Sequence, residues 1–204
     1  MSNRIPFPVV VSAPSGTGKT TLCREVARRD RLVKYSVSCT TRRRRKGEVN
    51  GTDYRFLTVP LFKRWVEEEK FAEWAVYQKS YYGTLRGELQ ALLNDGFDVI
   101  ADLETQGAER LMQLYPHGVF IYVLPPSREE LIRRLERRNA DSKKEAAQRL
   151  LAAEQELSRA GRYEYLVVNE EFDKTVEAIV SIIKAERLKS KRLQEPLDII
   201  KWRN

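Results

Sequence analysis

Three consecutive valines, Val9, Val10 and Val11, run into Ser12-Ala13-Pro14-Ser15-Gly16-Thr17-Gly18-Lys19-Thr20, and this junction constrains the chain more than any other stretch. A short β-branched run that ends in Pro and Gly reads as a buried strand entering a turn. Beyond it, apolar Leu22, Val26 and Ala27 fall at helical spacing over 19–29. Gly16 and Gly18 let backbone N–H groups turn inward with no Cβ in the way. The helix that starts near Lys19 aims the positive end of its dipole at the same point. Such a strand, turn and helix is suited to wrapping a phosphate.

The rest of the chain repeats the alternation. Short apolar strands are expected at 35–38, 97–102, 119–124 and 165–168, and helices at 85–93, 106–114, 128–136, 143–157 and 172–189. Ser127, with Glu130 three residues on, reads as the N-cap of the helix at 128. Strands alternating with helices imply right-handed βαβ units and a mainly parallel sheet covered on both faces. The expected class is therefore α/β. Residues 38–83 interrupt the pattern: 39–54 is polar and basic, 60–69 is an amphipathic helix with Leu61, Phe62, Trp65 and Val66 on one side, and 71–82 is aromatic strand and turn. This is the natural place for an inserted lobe. The polar break at 139–142 is a candidate hinge, and the tail from Gln194 carries no clear pattern.

Composition removes several classes of function. With 204 residues, 42% hydrophobic and 32% charged, the chain suits one domain of ordinary globular type. No apolar run approaches the roughly 20 residues needed to cross a bilayer, and 1–8 has no signal-peptide apolar region, so a cytoplasmic protein is expected. Cys23, Cys39 and the single histidine, His117, make no zinc or disulfide pattern. The cysteines read as packing residues and His117 as a turn or surface residue. A net charge of +8 is concentrated in Arg42-Arg43-Arg44-Arg45-Lys46 and in Arg133, Arg134, Arg137 and Arg138. Charge alone does not choose among nucleic acid, a membrane surface, a small polyanion and a plain solvated face.

Ala13-Pro14-Ser15-Gly16-Thr17-Gly18-Lys19-Thr20 fits the P-loop pattern, with Ala13 in place of the usual first Gly. Lys19 is expected to reach the β- and γ-phosphates of ATP, and the Thr20 hydroxyl to ligate Mg²⁺. Asp102 ends an apolar strand as a Walker-B-like acid does; it acts on Mg²⁺ through water, or it only caps the strand edge.

A P-loop names a superfamily rather than a reaction, and later segments narrow it. Ser38-Cys39-Thr40-Thr41-Arg42 with Arg45, Gly47-Glu48-Val49-Asn50-Gly51 and Asp53-Tyr54 resembles the GMP-binding signature of guanylate kinases. Phe71, Glu73-Trp74-Ala75 and Tyr81-Tyr82-Gly83-Thr84 do so too, as do Asp102-Leu103-Glu104-Thr105-Gln106-Gly107 and Val167-Val168-Asn169. The resemblance runs in order from about residue 8 to 190. It implies a P-loop NTPase fold with one domain over 1–204: a core of 5–37, 84–136 and 150–190, a GMP-binding lobe at 38–83, a small lid at about 137–149 and a tail at 191–204. It implies transfer of the γ-phosphoryl group of ATP to GMP or dGMP, with Mg²⁺, no nucleic-acid or membrane partner, and an undecided oligomeric state.

The residues suit that chemistry. Arg42 and Arg45 offer guanidinium forks, and Tyr54 and Tyr82 phenol hydroxyls, to a monophosphate. Glu73 and Glu104 can accept from the N1–H and amino group of guanine, while Ser38 and Thr84 bond the remaining edge. Adenine has an acceptor where guanine has the N1–H, so a buried carboxylate disfavours it. The family carries Asp at the position of Glu104, one methylene shorter. Tyr81 reads as packing. By resemblance Ser15, Gly16, Thr17, Arg134 and Asn169 belong to the ATP side, and Arg134, Arg138 and Arg149 to the lid and its flank, which close over ATP and steady the transferring group, with Arg137 a solvated neighbour. The family's lid usually reads Gly-Arg-Gly, whereas this chain has Arg137-Arg138-Asn139. Other readings of the same residues are a binding-only module of this fold, a nucleic-acid-stimulated ATPase and a kinase for AMP or a pyrimidine nucleotide.

Overall fold

The computed structural model describes residues 4–14, 17–77, 79–138, 151 and 154–193, with the backbone alone for 135–138. The valine run forms β1 (Pro8–Ser12), all five residues buried. Its side chains alternate between two cores, as period-2 geometry requires. Val9 and Val11 face one side and Val10 the other. The first core holds Leu22, Cys23 and Val26 of α1 (Lys19–Arg29) and Val176, Ile179, Val180 and Ile183 of α6 (Phe172–Arg187). The opposite core holds Leu89 and Leu93 of α3 (Arg86–Asn94) and Ala108 and Leu111 of α4 (Thr105–Leu114). Helices thus cover both faces, and each fully buried Val or Leu contributes about 1.5–3 kcal/mol.

Five strands pair in parallel in the order β2 (Val33–Tyr35), β7 (Asp98–Asp102), β1, β8 (Val119–Leu124) and β9 (Tyr165–Val168). The expected strand at 35–38 is corrected to Val33–Tyr35. One further bond, Ser36 N–H to Ile100 O at 2.9 Å, extends the pairing before the chain departs. The departure carries Ser38 into a second sheet of order β4 (Arg55–Phe56), β3 (Cys39–Thr40), β6 (Ser80–Leu85) and β5 (Phe71–Tyr77). The aromatic stretch is an antiparallel hairpin of β5 and β6. Its apolar face packs on α2 (Val59–Glu67), where Phe62 stacks on Phe71 at 4.4 Å. Tyr81 is 5.3 Å from Phe62, a packing residue as read from the sequence.

Ser127 caps α5 (Arg128–Arg138) by accepting from Glu130 N–H at 3.1 Å. Most of the expected helix at 143–157, the break at 139–142 and the tail from 194 lie outside the described residues. Cys23 and Cys39 are buried free thiols, and His117 is exposed in a turn. Among the described residues no helix is long and apolar enough to cross a membrane.

Candidate active site

Parallel strands deliver the loops at their C-terminal ends to one edge of the sheet. β1 and β7 end side by side, with Val11 opposite Asp102. Leu103 N–H bonds Val11 O at 3.1 Å, and Ser12 Oγ bonds Leu103 O at 2.8 Å. This locks the loop after β1 against the segment Asp102-Leu103-Glu104. Beside it is a cleft of about 340 Å³ lined by Thr17, Gly18, Lys19 and Thr20 on one side and by Ser38, Arg42, Arg45, Tyr54, Glu73 and Tyr82 on the other. Asp102 and Glu104 line the same cleft.

On the loop side, Gly18 has φ 83°, a left-handed conformation that an L side chain rarely adopts, and it precedes the first residue of α1. Thr17 closes the turn by donating from Oγ1 to Pro14 O at 2.8 Å. Asn169, just beyond β9, donates from Nδ2 to Thr17 O at 3.0 Å, and Arg134 Nη2 reaches Asn169 O at 3.3 Å. Arg134 and Asn169 are absent from the lining of this cleft and connect to the loop through these bonds. Lys19 Nζ donates to Ala13 O at 2.8 Å and to Glu104 Oε1 at 3.1 Å. Burial opposes its charge, but Glu104 together with the nearby Glu156 and Asp102 carboxylates outweighs burial and the ammonium pKa is raised. Ser15, Gly16 and Arg149 lie outside the described residues, and the side chain of Arg138 is likewise outside them.

Asp102 accepts Thr20 Oγ1 on Oδ2 at 2.5 Å and Tyr35 OH on Oδ1 at 2.6 Å. Burial raises its pKa, against the pull of both hydroxyls. Its carboxylate therefore does more than close a strand edge: it meets the loop threonine inside the cleft. An oxygen-only pair of this kind fits a hard cation such as Mg²⁺, which keeps water and substrate phosphate for its other ligands. No group of three or more His, Cys, Asp and Glu able to hold a metal ion occurs among the described residues.

On the opposite side, Arg42 grips Glu48 with both Nη atoms, at 3.1 and 2.6 Å, and lies 5.3 Å from the centre of the Tyr54 ring. Hydrogen bonding from Arg42 lowers the pKa of Glu48, despite some burial. Tyr54 and Tyr82 meet edge to face at 6.1 Å, and burial pushes the Tyr54 phenol up to about 12. Glu73 is only 4% exposed and accepts Thr84 Oγ1 at 2.7 Å. Burial raises its pKa to about 7, partly offset by bonds from Thr84. Thr84 does not line the cleft in this structure; it orients Glu73 from behind.

Sequence reasoning gave no individual role to four participants. Glu48 holds Arg42, Tyr35 holds Asp102, and Arg24 joins α1 to the second sheet's side of the cleft by binding Asp53 at 2.8 Å. The fourth is Gly107, where an added Cβ would sit 2.3 Å from Glu73 Oε2. A glycine inside a helix pattern is a signal of close approach, and here the neighbour is the buried carboxylate.

Known proteins share both sequence and architecture with this chain. The guanylate kinase family profile matches residues 6–186. A guanylate kinase of Caldanaerobacter subterraneus subsp. tengcongensis is 41% identical over 184 residues, covering 90% of this chain and 89% of that protein. One of Syntrophotalea carbinolica is 44% identical over 185 residues, with 91% and 88% covered. The crystal structure of guanylate kinase from Anaplasma phagocytophilum superposes with a TM-score of 0.81 at 30% identity, covering 99% of this chain and 98% of that one. A P-loop α/β core with a second, largely antiparallel sheet across the cleft, matched over nine-tenths of its length, makes this chain a member of the guanylate kinase family.

Proposed function

We propose that the chain catalyses ATP + GMP → ADP + GDP, with dGMP as an alternative acceptor. The observation that carries this reading is the lining of one cleft by Lys19 and Thr20 on one side and Arg42 and Arg45 on the other. A GMP phosphate oxygen attacks the γ-phosphorus, and the bond from that phosphorus to the β–γ bridging oxygen breaks as ADP leaves. The acceptor is already anionic, so no general base is required. The task is alignment and neutralisation of charge.

Residues 13–20 cradle the ATP phosphates through backbone N–H groups, and Lys19 exchanges Glu104 for the β- and γ-phosphates. Arg42, Arg45, Tyr54 and Tyr82 hold the GMP phosphate. Glu73, Glu104 and Ser38 read guanine, with Thr84 acting through Glu73. Thr20 and Asp102, the latter through water, would hold Mg²⁺, which when bound would offset charge on the phosphates. Arg138 and Arg149 steady the transferring group from the lid, while Arg134 and Asn169 keep the ATP-side loop in shape. The organisation that goes with these roles is a core of 5–37, 84–136 and 150–190, an acceptor lobe at 38–83 and a lid at about 137–149. Two buried free thiols suit a reducing cytoplasmic setting.

ADP release measured in parallel with GMP, dGMP, AMP, CMP and UMP tests the reading. Turnover is expected with the two guanine nucleotides and at most about 1% of it with the others, since each unpaired group at a polar base edge costs roughly 1–3 kcal/mol. Comparable rates with AMP or a pyrimidine nucleotide overturn the assignment.

A further inference from the structure

Asp102 is held by two hydroxyls, and only one of them has a part in the phosphoryl transfer proposed for this cleft. Thr20 Oγ1 donates to Oδ2 at 2.5 Å, and Tyr35 OH donates to Oδ1 at 2.6 Å. Tyr35 is the last residue of β2, paired with Ile100 on β7, two positions before Asp102. Side chains two apart on a strand share a face, so the register brings the phenol and the carboxylate together. The guanidinium of Arg24 lies 5.3 Å from the centre of the Tyr35 ring, and Arg24 is itself bound to Asp53 at 2.8 Å. The phenol is thus packed in place rather than swinging from the sheet edge.

We propose that Tyr35 is a positioning residue for the cation that accompanies ATP: it fixes the plane of the Asp102 carboxylate. One hydroxyl on each oxygen leaves the group no freedom to rotate, and the remaining lone pairs keep a set direction toward the mouth of the phosphate loop. Without the phenol, Oδ1 loses its donor, and the carboxylate turns to recover a bond elsewhere. Removing an outer partner of a metal-holding carboxylate typically costs 10–100-fold in metal affinity. Because Asp102 acts through water, the lower end of that range is expected. The inference rests on the reading of Thr20 and Asp102 as the Mg²⁺ side of the cleft.

The test is Tyr35→Phe, which removes the hydroxyl and keeps the ring, made in the full chain beside Asp102→Asn. Mn²⁺ is titrated into each protein saturated with ADP, and free Mn²⁺ is read by electron paramagnetic resonance. Tyr35→Phe is expected to weaken Mn²⁺ binding about tenfold, with metal-free ADP and GMP affinities within about twofold of the parent. The Mg²⁺ concentration for half-maximal turnover should rise by a similar factor while the GMP KM holds. If Asp102→Asn weakens Mn²⁺ binding and Tyr35→Phe does not, the proposal fails and the metal assignment stands. If neither variant changes it, the metal assignment fails and takes the proposal with it. Equal losses of metal-free ADP binding and Mn²⁺ binding in Tyr35→Phe mark a merely structural role and also overturn it.

Discussion

In the proposed function the two sides of the cleft share one task, holding a phosphate, and the residues offered for it differ in kind. On the proposed roles the loop side draws on adjacent residues: Gly18 is left-handed just before α1, and Lys19 beside it brings the charge. The opposite side uses side chains that arrive separately: Ser38 beside β3, Arg42, Arg45 and Tyr54 from the loop between β3 and β4, Glu73 from β5, Tyr82 from β6. Both sides keep a waiting cation on a carboxylate, Lys19 on Glu104 and Arg42 on Glu48. The partners differ in kind. Glu48 is a local neighbour of Arg42, six residues on, whereas Glu104 is 85 residues from Lys19 and is proposed to serve the base as well. Lys19 is thus paired with an acid from the segment after β7, and Arg42 with an acid from its own loop.

Lys19→Ala is the strongest way to break this comparison. Loss of a cation aimed at developing phosphate charge should lower kcat at least about 10²–10³-fold, with GMP affinity, measured by calorimetry, within about twofold. Equal damage to kcat and GMP affinity would erase the distinction between the sides. The mirror experiment is Gly107→Ala. A Cβ placed 2.3 Å from Glu73 Oε2 must displace the carboxylate. Losing a hydrogen bond to a charged group, about 1.5–3 kcal/mol, predicts a GMP KM raised roughly 10–100-fold while the ATP KM is unchanged. An unchanged GMP KM would remove Glu73 from base recognition.

The same carboxylate gives a pH test. Burial raises the Glu73 pKa to about 7, so the acceptor form is lost as pH falls through that value. Guanine donors bind the ionised form, and GMP affinity should fall by up to about tenfold per pH unit below about 7. The GMP phosphate titrates nearby, so the sign is read from the ratio of parent to Glu73→Gln affinities, which should shrink toward acid pH. A ratio independent of pH between 5.5 and 8, roughly the range that brackets such a shift, would show Glu73 ionised throughout. The smallest effect belongs to Glu104→Asp. The shorter acid cannot hold Lys19 as Glu104 does at 3.1 Å. A partly exposed pair is worth at most about 1 kcal/mol, so binding of a non-hydrolysable ATP analogue should tighten by no more than about fivefold. Weaker analogue binding would mean that Glu104 supports the loop rather than competing for its lysine.

The contrast between the two sides also explains which parts of the molecule were legible in the sequence. The strand, loop and helix at 8–29 could be read directly, because each requirement is met by adjacent residues. The periodic apolar positions likewise placed the strands at 119–124 and 165–168 to the residue. Ser127 was readable as a cap because its bond is to the N–H three residues on. The opposite side of the cleft was legible only through its resemblance to a family, since no local rule joins Arg42 to Glu73. Glu48 and Tyr35 escaped because a second partner behind a functional group leaves no spacing signature. Asn169 showed its strand-end position but not its bond to Thr17, which spans most of the chain. Gly107 carried a signal, a glycine in a helix pattern, whose meaning depended on knowing that Glu73 lies against it.

Every proposed role depends on one premise, that two phosphate grips face each other across one cleft. The most direct measurement is the affinity of a single compound that joins adenosine and guanosine through five phosphates, titrated by calorimetry against ATP analogue and GMP alone. Facing grips predict binding at least about 10²-fold tighter than either nucleotide, and loss of that gain in both Lys19→Ala and Arg45→Ala. A linked compound that binds no more tightly than the better single nucleotide would contradict it.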